Sequence, residues 1–203
     1  MDSPSNFLTL TEAKSKELVP VVRGVPLHSL HNPRREAEVF ANNHLAHLSK
    51  TANVLVLGLG FGYHIEEMSK ILRLRHKDGK ILVIEAHQEL VRLWQSYQKN
   101  TCKAEVISAL SIDELYANKD VCKFLLKKPV VIIHQASFES AKSFYQSFLT
   151  RRASSHLKDF KTSNPEWNFW IDSLGERSVE EAKHDSSPHA AWLRAYWEFK
   201  HAE

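Results

Sequence analysis

The chain has 203 residues, 43% of them apolar and 25% charged, with a net charge of +3. These values suit one globular domain long enough to bury a substantial core. Basic and acidic residues are interleaved, no apolar stretch is long enough to span a membrane, and Met1–Asn6 is polar without a signal-peptide pattern, so a cytoplasmic protein with no nucleic-acid or membrane partner is expected.

In chain order, Phe7–Leu10 and Leu18–Val22 read as short strands, Arg23-Gly24 as a turn, and Val25–His28 as the return, an N-terminal β-hairpin flap over residues 1–30. Pro20 and Pro26 favour edge strands there. Asn32 then caps a helix with Pro33 at its first position, running to Leu48 with Val39, Phe40, Leu45 and Leu48 towards the core. His44 and His47 lie three apart on that helix, but no third ligand is indicated beside them and a closed zinc site needs four, so no metal centre is expected. Cys102 and Cys122 have no metal-type spacing and read as reduced thiols.

The most informative segment follows. Val54-Leu55-Val56-Leu57 is an apolar run of the kind that forms a parallel strand covered on both faces. Gly58-Leu59-Gly60-Phe61-Gly62 turns the chain, and Tyr63-His64-Ile65 begins a helix with Ile65, Met68, Ile71 and Leu72 on one face. Glycines let a ligand approach the backbone closely, and the helix start offers free N–H groups and a positive dipole end. Lys77–Lys80 makes a turn, and Lys80–Ile84 is a second buried strand ending on Glu85, placed to accept hydrogen bonds from a ribose. This βαβ unit defines a Rossmann-like, doubly wound α/β core over residues 31–150. Tyr63 and His64 have two readings: contacts to a phosphate or adenine, or caps on the sheet edge.

Residues 87–100 read as a helix carrying Leu90, Leu93, Trp94 and Tyr97, and residues 104–108 as a third strand. Ser111 caps a short helix, with Glu114 completing a capping box. Residues 129–135 form the fourth strand. It places His134 and Gln135 at its carboxyl end, lining the same cleft as Gly60 and Glu85. His134 is the candidate catalytic acid or base, because imidazole titrates near neutrality; alternatively it closes the strand with a hydrogen bond. Residues 137–161 read as helical with Phe144, Phe148 and Leu157 as packing residues, and residues 151–203 as a helical C-terminal extension of the same single domain, 1–203. No strand is expected after the fourth.

The spacing G-x-G-x-G at Gly58, Gly60 and Gly62 resembles motif I of class I S-adenosylmethionine-dependent methyltransferases rather than the dinucleotide pattern G-x-G-x-x-G. That resemblance implies that the three glycines wrap the amino-acid end of S-adenosylmethionine or a related nucleoside and that Glu85 holds its ribose. Two departures stand against methyl transfer. Val56 occupies the position where those enzymes commonly carry an acid, and the later strands of a complete methyltransferase sheet are absent. Asn164-Pro165-Glu166-Trp167 looks like an amino-methyltransferase motif but does not follow the fourth strand.

A narrower resemblance joins Leu27-His28-Ser29-Leu30-His31-Asn32-Pro33-Arg34-Arg35-Glu36-Ala37-Glu38 to Gly58–His64. Together they look like the N-terminal Rossmann-like domain of the motility accessory factor (Maf) family, over roughly residues 20–150. The resemblance implies a link to flagellin glycosylation, with flagellin or a glycosylation enzyme as a protein partner. It carries no catalytic residue across. His28, Ser29 and Asn32 then either lie over the cleft and touch the ligand, or cap the helix and fix the hairpin. The function expected is a module that binds S-adenosylmethionine or a related nucleoside; an active methyltransferase and a non-catalytic interaction module are the alternatives.

Overall fold

The computed structural model describes residues 7–97, 104–125 and 127–150. The chain groups into two compact units, residues 1–110 with 129–145, and residues 111–128 with 146–203.

The first unit opens with an antiparallel sheet of β1 (Leu8–Glu12), β2 (Leu18–Val22) and β3 (Val25–Pro26), in that order. Arg23 and Gly24 join β2 to β3 with φ of 48° and 80°, the left-handed pair that a two-residue hairpin of matching twist requires. Pro20 lies in the middle strand, not at an edge. The Arg23 N–H to Phe7 carbonyl bond sets the alternation of the ladder and makes Leu10 and Pro20 a non-hydrogen-bonded pair. The donor that Pro20 lacks therefore faces away from β1, towards Leu27 just past the end of β3, whose N–H donates to the Pro20 carbonyl at 2.8 Å.

Helix α1 (Pro33–Asn43) begins as expected, with the Asn32 side chain accepting from the Arg35 N–H at 2.8 Å. It does not run to Leu48. The backbone leaves helical geometry at His44, and α2 (Leu45–Lys50) starts afresh. The break takes Leu45 off the expected core face, and Val39 lies opposite the buried face of α1. Val39 and Leu45 are exposed, whereas Pro33, Ala37 and Ala41 are buried along with Leu48. The small residues allow α1 to pack closely on the glycine-motif helix.

Strands β4 (Asn53–Leu57), β5 (Lys80–Glu85), β6 (Glu105–Ser108) and β7 (Val130–Ile133) form an all-parallel sheet in the order β6-β5-β4-β7. Helices α3 (Tyr63–Arg75) and α4 (Gln88–Tyr97) are the crossovers β4 to β5 and β5 to β6. Val54, Val56, Ile81 and Val83 pack with Ile65, Met68, Leu72 and Leu90 in one buried cluster. The continuous apolar runs of β4 and β5 are thus explained by cover on both faces. The chain then returns to the far side of β4, so the topological switch point lies between β4 and β7, where doubly wound sheets receive ligands.

After β7 come α7 (Gln135–Ser140) and α8 (Lys142–Thr150), separated by a non-helical Ala141 where one continuous helix was expected. In the second unit, α5 (Ile112–Ala117) is capped by Ser111, whose hydroxyl accepts from the Glu114 N–H at 3.1 Å, and α6 (Lys119–Leu125) follows. There Tyr116 stacks on Phe148 and donates to its carbonyl at 2.9 Å, and the Cys122 thiol is buried against the Tyr116 carbonyl. The expected extension 151–203 and Cys102 lie outside the described residues. No described helix is long and apolar enough to cross a membrane.

Candidate functional site

The glycine turn leaves the carboxyl end of β4 with Gly58, Gly60 and Gly62 at φ of 103°, 54° and 87°. Side chains rarely adopt such values, so glycine is needed at each for the bend alone. The bend aims three successive N–H groups outward from the loop, a concavity of the kind that binds anions or ligand oxygens. Here all three are answered from within the protein. The Leu59 N–H donates to Glu85 Oε2 at 2.7 Å, the Gly60 N–H to Ser137 Oγ at 3.1 Å, and the Phe61 N–H to His28 Nε2 at 2.8 Å. The space is taken as well. A Cβ on Gly58 would overlap Ser137, and one on Gly60 would overlap His28. In this structure the glycines admit the protein's own side chains to the backbone.

Glu85 ends β5 as expected, but it is completely buried and turned inward. Its second oxygen accepts from the His87 N–H at 2.9 Å. Burial pushes its carboxyl up to about 7 in spite of these backbone donors and the nearby Tyr145 hydroxyl. Tyr145, itself fully buried, accepts from the Ala86 N–H at 3.1 Å.

Three histidines converge on the same point. His28 comes from the loop after β3, His64 from the first turn of α3, and His134 from the end of β7 as the N-cap of α7; their relative exposures are 5%, 1% and 6%. The His64 and His134 rings are stacked, 4.2 Å apart and within 6° of parallel, and His28 lies 4.8 Å from His134. Burial, reinforced by the neighbouring imidazoles, drives His64 and His134 well below the ordinary histidine pKa. The hydrogen bonds fix two tautomers. The Phe61 N–H pointing at His28 Nε2 leaves Nδ1 as the protonated nitrogen, which donates to Glu36 Oε2 at 3.2 Å. His64 Nε2–H donates to the Gly58 carbonyl at 3.2 Å, so Nδ1 carries a lone pair, and that atom is buried with no hydrogen-bond partner among the described residues. His134 Nδ1 lies 2.8 Å from Ser137 Oγ. The Glu36 carboxyl, although desolvation raises it, is held below its ordinary value by His28 and the Ser29 N–H.

Of the residues singled out from the sequence, Gly58, Gly60, His28, His64, Glu85 and His134 come together here. Gly62 shapes the start of α3, its N–H closing a turn on the Leu59 carbonyl. The Tyr63 ring packs edge-on against His28, but its hydroxyl leaves the site, donating to the Leu18 carbonyl at 2.8 Å beneath the Arg34 guanidinium and tying α3 to β2. Gln135 is exposed and donates to Glu139. Val56 is wholly buried in the sheet, so the position of the methyltransferase acid is a core position here. Sequence reasoning missed Ser137, Glu36 and Tyr145. Ser137 follows His134 by one helical turn, which is the one local signal that joins it to the site. Two open clefts lie away from the glycines, one between β1 and α4 at Leu8, Leu10 and Arg92, the other between α4 and β6 at Gln95 and Ser108.

The fold therefore defines the class: an α/β protein with a Rossmann-like parallel sheet and an N-terminal antiparallel sheet. No protein-family model matches the chain, and no curated protein matches it. The resemblance to motility accessory factors rests on its two motifs. Among solved structures the chain is similar to MnmC2 from Aquifex aeolicus, at 15% identity and a TM-score of 0.38, over 56% of this chain and 46% of that one. The match spans less than half of that protein, and a likeness at this level adds nothing to the architecture already described.

Proposed function

We propose that this chain is a non-catalytic Rossmann-like module whose switch point is closed by its own side chains. The observation that carries this reading is the internal pairing of the Leu59, Gly60 and Phe61 N–H groups with Glu85, Ser137 and His28. The groups that would grip a ligand's oxygens are already engaged. Methyl transfer loses support from the same geometry, since Val56 supplies no acid and His134 faces other imidazoles rather than open space. On this reading the module works through protein contacts, and the resemblance to motility accessory factors supports flagellin or a glycosylation enzyme as the partner.

A second reading has its own support. Three positive-φ glycines at the end of β4, with an acid ending β5, make the frame in which Rossmann sheets hold a ribose. A nucleoside such as S-adenosylmethionine then binds only after Glu85 gives up the Leu59 and His87 N–H groups and His28 withdraws. Thermal denaturation with S-adenosylmethionine, its demethylated product and CMP separates the two. A ligand at a hundredfold excess over its dissociation constant adds about 2.7 kcal/mol. The closed module shows no shift with any of them. A shift that disappears in Glu85→Gln establishes the nucleoside reading instead.

A further inference from the structure

We propose that His28, His64 and His134 form a binding site for a divalent transition-metal ion of the zinc class. This goes beyond the closed-module reading and does not depend on it. One ring nitrogen from each histidine lies within 4.8 Å of one from each of the others, and all three residues are buried.

The arrangement around the rings is that of metal ligands. Each imidazole has one nitrogen held by an outer partner: His28 Nδ1 by the Glu36 carboxylate, His64 Nε2 by the Gly58 carbonyl, and His134 Nδ1 by the Ser137 hydroxyl. Such partners fix ring orientation and tautomer and raise the basicity of the other nitrogen. The second, independent observation is His64 Nδ1. It is a buried lone pair with no donor among the described residues, and buried polar atoms are seldom left so. Gly60 contributes by having no side chain, since a Cβ there would collide with His28 and crowd His134. Three neutral nitrogen ligands without a carboxylate among them favour zinc, copper, nickel or cobalt over magnesium or calcium. Three histidines with a fourth position left to water is a known zinc ligand set.

Binding requires two local changes. The stacked rings of His64 and His134 must tilt, because in-plane lone pairs of parallel rings do not converge on one ion. The Phe61 N–H must release His28 Nε2, and it is then placed to donate to the fourth ligand.

The test uses the untagged full chain, stripped with a chelator and titrated with cobalt(II) as the probe. One equivalent per chain is expected, with the intense visible bands of low-coordinate cobalt, bleached by equimolar zinc, and a raised melting temperature. His64→Phe and His134→Phe abolish the bands, while the His44→Ala/His47→Ala double variant keeps them and so excludes chelation by that nearby pair. Absence of bands and of any thermal shift in the native chain overturns the proposal, as does binding that survives both phenylalanine variants. Should circular dichroism show those variants unfolded, X-ray absorption of the zinc-loaded native chain decides: three imidazoles support the site, and fewer overturn it.

Discussion

The Leu59 N–H and the Glu85 carboxylate, 26 positions apart in sequence, meet at 2.7 Å in a buried setting. The bond ties the glycine turn of one strand to the end of the next. It also places an acid where its charge is poorly solvated, and that has a thermodynamic signature.

In the unfolded chain Glu85 titrates near its ordinary value of 4.5, and in the folded chain burial lifts it to about 7. The folded state therefore holds the proton more tightly. Stability from this group is greatest below the unfolded pKa and falls as pH rises from there through about 7, by about 3 kcal/mol in all. His64 and His134, depressed by burial, act in the opposite sense, losing stability as pH falls below 6.5. Urea denaturation of the native chain and of Glu85→Gln across this range isolates the acid. The difference between the two curves should slope as described, and a flat difference would show that Glu85 keeps its ordinary pKa in the fold.

Gly58→Ala and Gly24→Ala separate crowding from backbone strain. Both residues have positive φ, but a Cβ on Gly24 meets nothing within 4 Å whereas one on Gly58 overlaps Ser137. We expect a loss of about 1 kcal/mol at Gly24 and of about 3 kcal/mol or more at Gly58. Adding Ser137→Gly to Gly58→Ala should recover part of the second loss, and chemical denaturation of the double variant measures how much.

Tyr145→Phe removes the hydroxyl acceptor of the part-buried Ala86 N–H, which keeps the neighbouring Glu85 carboxylate as an acceptor. The expected cost is about 1 kcal/mol, that of one net hydrogen bond. Because the hydroxyl also helps hold down the Glu85 pKa, the acid's limb in the pH–stability profile should move to higher pH in this variant. An unmoved limb with a full stability loss would separate the two roles.

Val56→Asp tests why the methyltransferase acid is missing. Val56 lies wholly inside the sheet between Val83 and Ile132, an apolar setting for a carboxylate. The variant should lose several kcal/mol and shift strongly to the unfolded state at neutral pH, as read by circular dichroism.

The βαβ unit, the Asn32 and Ser111 caps, and the meeting of Gly58, Gly60, His134 and Glu85 at one end of the sheet were legible because each rests on local patterning or on a topology that the patterning implies. The contents of the turn were not. Ser137 reaches Gly60 across 77 positions and His28 reaches Phe61 across 33, and no periodicity records such pairings. The face of α1 was misread for a local reason. Val39 sits two residues from both Ala37 and Ala41 and so on the opposite side of α1, and the break at His44 turns Leu45 outward. Gln135 failed as a cleft residue because it is the first residue of α7, and its side chain runs along that helix to Glu139.

His28 is delivered by the segment after the antiparallel sheet, yet its ring ends against the Phe61 N–H, in the glycine turn at the carboxyl end of β4. The small N-terminal sheet is therefore a stopper for the larger one. Trimming the chain back to its Rossmann-like part would not expose a ready-made nucleotide cleft. It would uncork a loop with an unanswered amide and a space sized for an imidazole.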